Sequence, residues 1–262
     1  MISVKDVWKK YDQNQVLKGL SLEIKTSETI VILGRSGVGK SVLLKHIIGI
    51  TKPDQGSIDV DGKDVTKLSG EALTEITKNM GMLFQGAALF DSMNVEENVG
   101  FYLAQHKDPL TGHKASKQEI QERVDYALEL VALEGVQKKM PSELSGGMKK
   151  RAALARLIVY RPQYLLYDEP TTGLDPITAM QINELIVKTQ KELKPTSIVV
   201  THDIISALFV ADRLALHKDG QIAYIDTPDN FLKINDPVID FLRKTISQDP
   251  RTFRQRDYVE PN

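Results

Sequence analysis

Gly34-Arg-Ser-Gly-Val-Gly-Lys-Ser41 decides the fold. These residues satisfy G-x-x-x-x-G-K-[ST], and their flanks satisfy the context that gives the pattern meaning. Thr29-Ile-Val-Ile-Leu33 is a short β-branched apolar run and reads as a buried strand, while Val42-Leu-Leu-Lys-His-Ile-Ile48 is helical in length and closes at Gly49. Strand, glycine loop and helix together form a P-loop. Gly34, Gly37 and Gly39 let the amides of Arg35, Ser36 and Val38 turn toward phosphate oxygens, and the helix N-terminus adds its dipole. Lys40 supplies a flexible charge for the β- and γ-phosphates, and Ser41 a hydroxyl for Mg²⁺.

The rest of the composition agrees with a globular α/β protein. The 262 residues suit one large domain or a domain carrying an insertion, and 41% hydrophobic residues suffice for a substantial core. A net charge of −1 offers no footprint for nucleic acid or for an anionic lipid surface. Without cysteine the chain has neither disulfides nor thiolate metal sites. Met-Ile-Ser-Val-Lys-Asp lacks the apolar core of a signal peptide, and no apolar run approaches the roughly 18 residues of a membrane span. The expectation is a soluble chain.

Upstream of the P-loop, Ile2 to Leu33 alternates as β-structure, with Tyr11 in the polar Lys-Lys-Tyr-Asp-Gln between two strands. Spacing alone leaves Tyr11 either stacking on a purine or covering a core edge. Ile58-Asp-Val-Asp-Gly-Lys-Asp-Val65 centres Asp61-Gly62 in a hairpin. Small antiparallel strands therefore flank a parallel sheet. Met80-Gly-Met-Leu-Phe84 is a further strand and runs into Gln85. From about residue 96 to 160 the pattern turns helical, broken by the polar loop 105–117, and reads as an insertion in the α/β domain.

A second constellation begins at Leu144-Ser-Gly-Gly-Met148, just before the helical run Lys149 to Val159, stopped by Pro162. Such a helix N-terminus suits an anion, although a Ser N-cap with glycines in the entry turn explains it as well. Tyr164-Leu-Leu-Tyr-Asp-Glu169 is an apolar strand ending in two carboxylates: Asp168 suits Mg²⁺, and Glu169 suits polarising a water. Thr172-Gly-Leu-Asp-Pro176 leads into a helix from about residue 178 to 193. Ser197-Ile-Val-Val-Thr-His-Asp203 puts His202 at the carboxyl end of another strand, where ligands of open α/β sheets gather. His46, His106, His113 and His217 read as structural.

With these landmarks in order, residues 2–240 resemble the ATP-binding-cassette ATPases. The resemblance makes Gly34–Ser41 the Walker A motif, Gln85 the Q-loop glutamine (a Mg²⁺ ligand with Ser41 and Asp168) and Leu144–Met148 the signature. It makes Asp168-Glu169 Walker B, Thr172–Asp175 the D-loop, His202 the switch histidine and Tyr11 the adenine-stacking aromatic. Lys40, Glu169 and His202 are then catalytic. The family works as a head-to-tail homodimer holding two ATP molecules, so Ser145, Gly146, Gly147 and Asp175 complete the partner's site.

Met148 stands where the signature usually has Gln. With Gly81–Phe90, Met93-Asn-Val95, Pro141–Arg156 and Asp175–Thr178, it makes the chain similar to the ATPase subunits of Mce/Mla-type lipid-transport systems. That likeness implies a peripheral subunit on the cytoplasmic face of an inner membrane, beneath a permease that the segment 86–102 contacts. Its partners are an Mce-domain lipid-binding subunit and often a small STAS-domain subunit, and the work is phospholipid movement between inner and outer membranes that maintains outer-membrane asymmetry. An importer ATPase for amino acids or another small solute would share everything except the Met-ended signature and the Ala-Leu-Phe and Met-Asn-Val segments. A non-transport cassette would carry a second cassette, a coiled coil or a basic arm.

The expected organisation is a P-loop core with an antiparallel β-subdomain over 1–86, a helical subdomain over 87–162, the rest of the core over 163–234 and an extension over 235–262. In the extension, Val238–Leu242 looks helical. The polar tail beyond it carries Phe253 and Tyr258 among arginines, a composition suited to docking on a neighbouring subunit.

Overall fold

A computed structural model describes residues 1–247. The docking expectation for Phe253 and Tyr258 falls outside the described residues. The backbone divides into two sheets and a set of helices. β1 (Ile2–Tyr11), β2 (Asn14–Ile24), β3 (Thr29–Leu33), β4 (Gln55–Val60) and β5 (Lys63–Asp64) precede β6 (Met80–Leu83), with α1 (Lys40–Ile47) and α2 (Gly70–Thr77) between them. α3 (Val95–Gln105), α4 (Lys117–Leu130) and α5 (Gly146–Ile158) follow, then β7 (Tyr164–Asp168), α6 (Pro176–Leu193), β8 (Thr196–Thr201) and α7 (Ile204–Val210). β9 (Arg213–Lys218), β10 (Gln221–Asp226), α8 (Pro228–Phe231) and α9 (Pro237–Ser247) complete the described chain.

The first sheet runs β2-β1-β4-β5 and is antiparallel throughout; the second runs β10-β9-β3-β8-β7-β6. β9, β3, β8, β7 and β6 are mutually parallel, and β10 pairs antiparallel with β9. The large sheet is therefore mixed, not purely parallel, because the hairpin at Asp219-Gly220 returns the chain beside its own edge. The Asp61-Gly62 hairpin forms as expected, with φ of 51° and 83°.

The period-2 alternation of strand side chains divides the core between the sheet's two faces. Val31, Leu33, Leu83, Leu165, Tyr167 and Val199 pack with α3–α7. Ile30, Ile32, Met80, Met82, Leu166 and Ile198 pack with α1 and the antiparallel sheet. Both faces are covered, which is why β3, β7 and β8 are buried end to end.

Helix ends differ from the sequence reading in instructive ways. α1 starts at Lys40 and α5 at Gly146, so the lysine and the two glycines belong to first turns instead of preceding them. α5 stops at Ile158, ahead of Pro162, because Tyr160 turns inward and its hydroxyl donates to the Met80 carbonyl at 3.0 Å. α9 extends the expected 238–242 stretch in both directions and docks through fully buried Ile239.

Candidate active site

β3, β8, β7 and β6 lie side by side, so their carboxyl ends bring the Gly34 loop, His202, Asp168-Glu169 and Gln85 to one edge. A cavity of about 360 Å³ opens there, lined by Val16, Ser36, Gly37, Gly39, Lys40, Ser41, Val42, Gln85, Glu169, Thr172 and His202.

The loop closes around Lys40. Its ammonium donates to the carbonyls of Gly34 at 2.8 Å and Arg35 at 3.0 Å, and lies 3.2 Å from Glu169 Oε1. Gly39 sits at φ 106°, and a Cβ there would meet Val16 Cγ1 at 2.5 Å, so only glycine lets the loop turn onto β2. Gly37, at φ 81°, lines the cavity, and a Cβ there would meet nothing within 4 Å.

Ser41 donates to Asp168 Oδ1 at 2.6 Å. A hydroxyl and a carboxylate oxygen side by side are hard donors of the kind Mg²⁺ takes when phosphate supplies its other ligands. No cluster of three or more His, Cys, Asp or Glu able to hold a metal occurs among the described residues.

Glu169 is buried and left-handed, at φ 49°, a backbone strain held by its N–H bond to Val200 O at 3.0 Å. Its second oxygen lies 2.8 Å from His202 Nδ1 and accepts from Thr172 Oγ1 at 3.1 Å. A carboxylate oxygen in this bond accepts, which assigns the proton to Nδ1.

The other expected residues stand apart from this cavity. Tyr11, at the end of β1, is exposed, outside the lining, with the Lys9 ammonium 5.3 Å from its ring centre. Ser145 caps α5, accepting from Met148 N–H at 3.3 Å. A Cβ on Gly147 would meet Thr178 Cγ2 at 2.5 Å, while one on Gly146 would clear Leu174 Cδ2 at 3.7 Å. The signature turn thus packs on the start of α6. Asp175 caps α6, accepting from the N–H groups of Ile177 and Thr178 and from Thr178 Oγ1 at 2.6 Å. Neither Asp175 nor the signature residues line their own chain's cavity.

Sequence reasoning missed Val16, Val42 and Lys150, and it placed Thr172 in the D-loop without foreseeing its bond to Glu169. Lys150 is buried behind the site, where burial pulls its ammonium below the ordinary lysine value and the carboxylates of Asp168 and Glu169 pull it back. His217, read as structural, lies under the P-loop: a Cβ on Gly34 would meet its carbonyl at 2.7 Å. Burial, then the Lys40 charge, pushes His217 down to about 4, so it is neutral at physiological pH.

Comparison with known proteins gives the family. Residues 17–172 match the ABC transporter family model. The chain is 39% identical to the intermembrane phospholipid transport system ATP-binding protein MlaF of Haemophilus influenzae over 99% of this chain and 97% of that protein. It is 42% identical to the methionine import ATP-binding protein MetN of Clostridium tetani, over 89% of this chain and 71% of a longer relative. A dimeric, post-hydrolysis structure of the ATP-binding cassette MJ0796 bound to ADP and Pi superposes with a TM-score of 0.77 at 32% identity, over 87% of this chain and 99% of the other. With a phosphate loop, paired carboxylates and a histidine gathered at one sheet edge, the chain belongs to the ABC transporter family and is an ATP-hydrolysing subunit of it.

Proposed function

We propose that this ATPase powers phospholipid movement between the inner and outer membranes of a Gram-negative-type envelope, maintaining outer-membrane lipid asymmetry. The observation that carries this reading is the end-to-end match to the Haemophilus intermembrane phospholipid transport subunit, at 97% of that protein's length. The Met148-ended signature points the same way.

The chemistry follows from the residues. The loop amides from Gly34 to Lys40, with the Lys40 ammonium, bind the β- and γ-phosphates, and Tyr11 stacks on the base. Ser41, Asp168 and Gln85 would hold Mg²⁺, which when bound neutralises charge on the phosphates. Glu169 accepts the proton of the attacking water, and His202 fixes the orientation of its carboxylate. Ser145, Gly146 and Gly147, at the open N-terminus of a 13-residue helix, face the γ-phosphate of the partner protomer, and Asp175 stands beside them in the same interface. The subunit sits at the cytoplasmic face of the inner membrane, under a permease contacted by residues 86–102, with an Mce-domain subunit and a small STAS-domain subunit as further partners.

A second reading, import of an amino acid such as methionine, draws on the 42% identity to the Clostridium protein. Purifying the chain with its membrane partner separates the two. Phospholipid identified by mass spectrometry, and ATPase activity stimulated by phospholipid but not by methionine, supports lipid transport; the reverse pattern refutes it.

A further inference from the structure

Lys150 is 5% exposed, yet the described groups bonded to its ammonium are backbone carbonyls, Gln85 O at 2.6 Å and Glu169 O at 3.4 Å. Burying an ammonium costs free energy that an alkyl side chain of similar length would not incur. The two carbonyls belong to the Q-loop and to the strained residue that follows β7. The lysine itself rides on α5, five residues beyond Ser145, or about 7.5 Å along the axis at 1.5 Å per residue. One side chain therefore ties together three segments that sequence separates: residue 85, residue 150 and residue 169.

We propose that Lys150 is a positioning residue that carries the placement of the signature helix into the hydrolytic site of its own protomer, by holding the backbones of Gln85 and Glu169. When Ser145–Gly147 engage the partner's nucleotide, any displacement of α5 moves Lys150 with it, since both lie within the first two turns of one helix. Gln85 and Glu169 follow through the two bonds. The state of one nucleotide site thereby sets the geometry of the other. This rests on the reading of Glu169 as the base and of the signature as the partner's phosphate wall.

The test is Lys150→Met, which keeps an unbranched apolar stem and removes every donor. A misplacement of the base by about an ångström costs up to about 100-fold in rate. The expected result is a fall in kcat of about 10- to 100-fold with KM and fluorescent-ATP affinity of the isolated protomer held within about threefold. Because the chain has no cysteine, Lys150→Cys gives a unique thiol. Alkylating it with 2-bromoethylamine in the unfolded protein, then refolding, restores an ammonium at nearly the lysine's length. That treatment should recover most of the lost kcat, which a merely space-filling role would not predict. Unchanged kcat in folded Lys150→Met, or equal turnover before and after alkylation should Lys150→Met fail to fold, overturns the proposal. A wild-type chain that does not hydrolyse ATP, or a Glu169→Gln protein that turns over normally, instead overturns the reading beneath it.

Discussion

Replacing Glu169 by Gln changes one charge and almost no volume, so its consequences can be worked through bond by bond. The carboxylate uses one oxygen for Lys40, at 3.2 Å, and the other for His202 at 2.8 Å and Thr172 at 3.1 Å. The amide has a single acceptor oxygen. Kept on Lys40, it turns its NH₂ toward His202, which must then switch tautomer to accept. The bonds to His202 and Thr172 lose their charge at a cost of about 1–2 kcal/mol in total, a fall in Tm of roughly 2–4 °C. Nucleotide binding survives, because the loop amides, Lys40, Ser41 and Asp168 are untouched. Losing a general base removes roughly 10²–10⁴ from kcat, or about 2.7–5.4 kcal/mol of barrier. Phosphate release at saturating ATP measures the loss, and size exclusion with ATP should show a closed dimer accumulating. A folded mutant with kcat within about threefold of wild type would remove Glu169 from the role of base.

Ser145→Arg should leave ATP binding to an isolated protomer nearly intact and abolish hydrolysis by the homodimer; mixing it with Lys40→Ala protomers should restore activity through the one complete site, and failure of ATP-dependent crosslinking between the two would count against the shared site. Gly147→Ala forces its methyl against Thr178 Cγ2, 2.5 Å away, and should cost about 1–3 kcal/mol in urea denaturation; an unchanged midpoint would mean that α6 yields freely. Arg156 holds the carbonyls of Ala88 at 2.7 Å and Ala87 at 3.2 Å, two left-handed alanines at φ 53° and 63°. Arg156→Ala should therefore keep basal ATPase within about threefold and lower permease-stimulated activity about tenfold, whereas equal stimulation would detach this loop from coupling. His217 has a folded-state pKa of about 4 against 6.5 when unfolded, so the unfolded chain takes the proton first as pH falls. Its contribution is intact above pH 6.5 and lost as pH drops toward 4, about 2 kcal/mol of it between pH 7 and 5. His217→Leu should flatten that slope, and an identical slope in the mutant would refute the assignment.

The glycine loop, the Ser-Gly-Gly turn, the paired carboxylates and His202 could be picked out in the sequence because each pattern sets particular residues within a few positions of one another. A Gly-x-Gly-Lys-Ser turn feeding a helix can be recognised locally, since φ > 0, open amides and a reaching ammonium are properties of contiguous residues. The unbroken apolar runs of β3 and β7 announced buried strands for the same reason. What waited for the tertiary structure was every relation between distant segments. Only the strand order places Glu169 between Lys40 and His202, and only the approach of β2 to the P-loop makes Val16 part of the cavity. Lys149-Lys-Arg151 reads as a solvated helix face, and nothing in it says that the middle residue is buried while its neighbours are half-exposed. That depends on which side of α5 turns toward Gln85 and Glu169, a choice made by the packing of α5 against the sheet and not by the three residues themselves. Local backbone chemistry determined what the chain binds; the burial of one charge among distant carbonyls was decided by the fold.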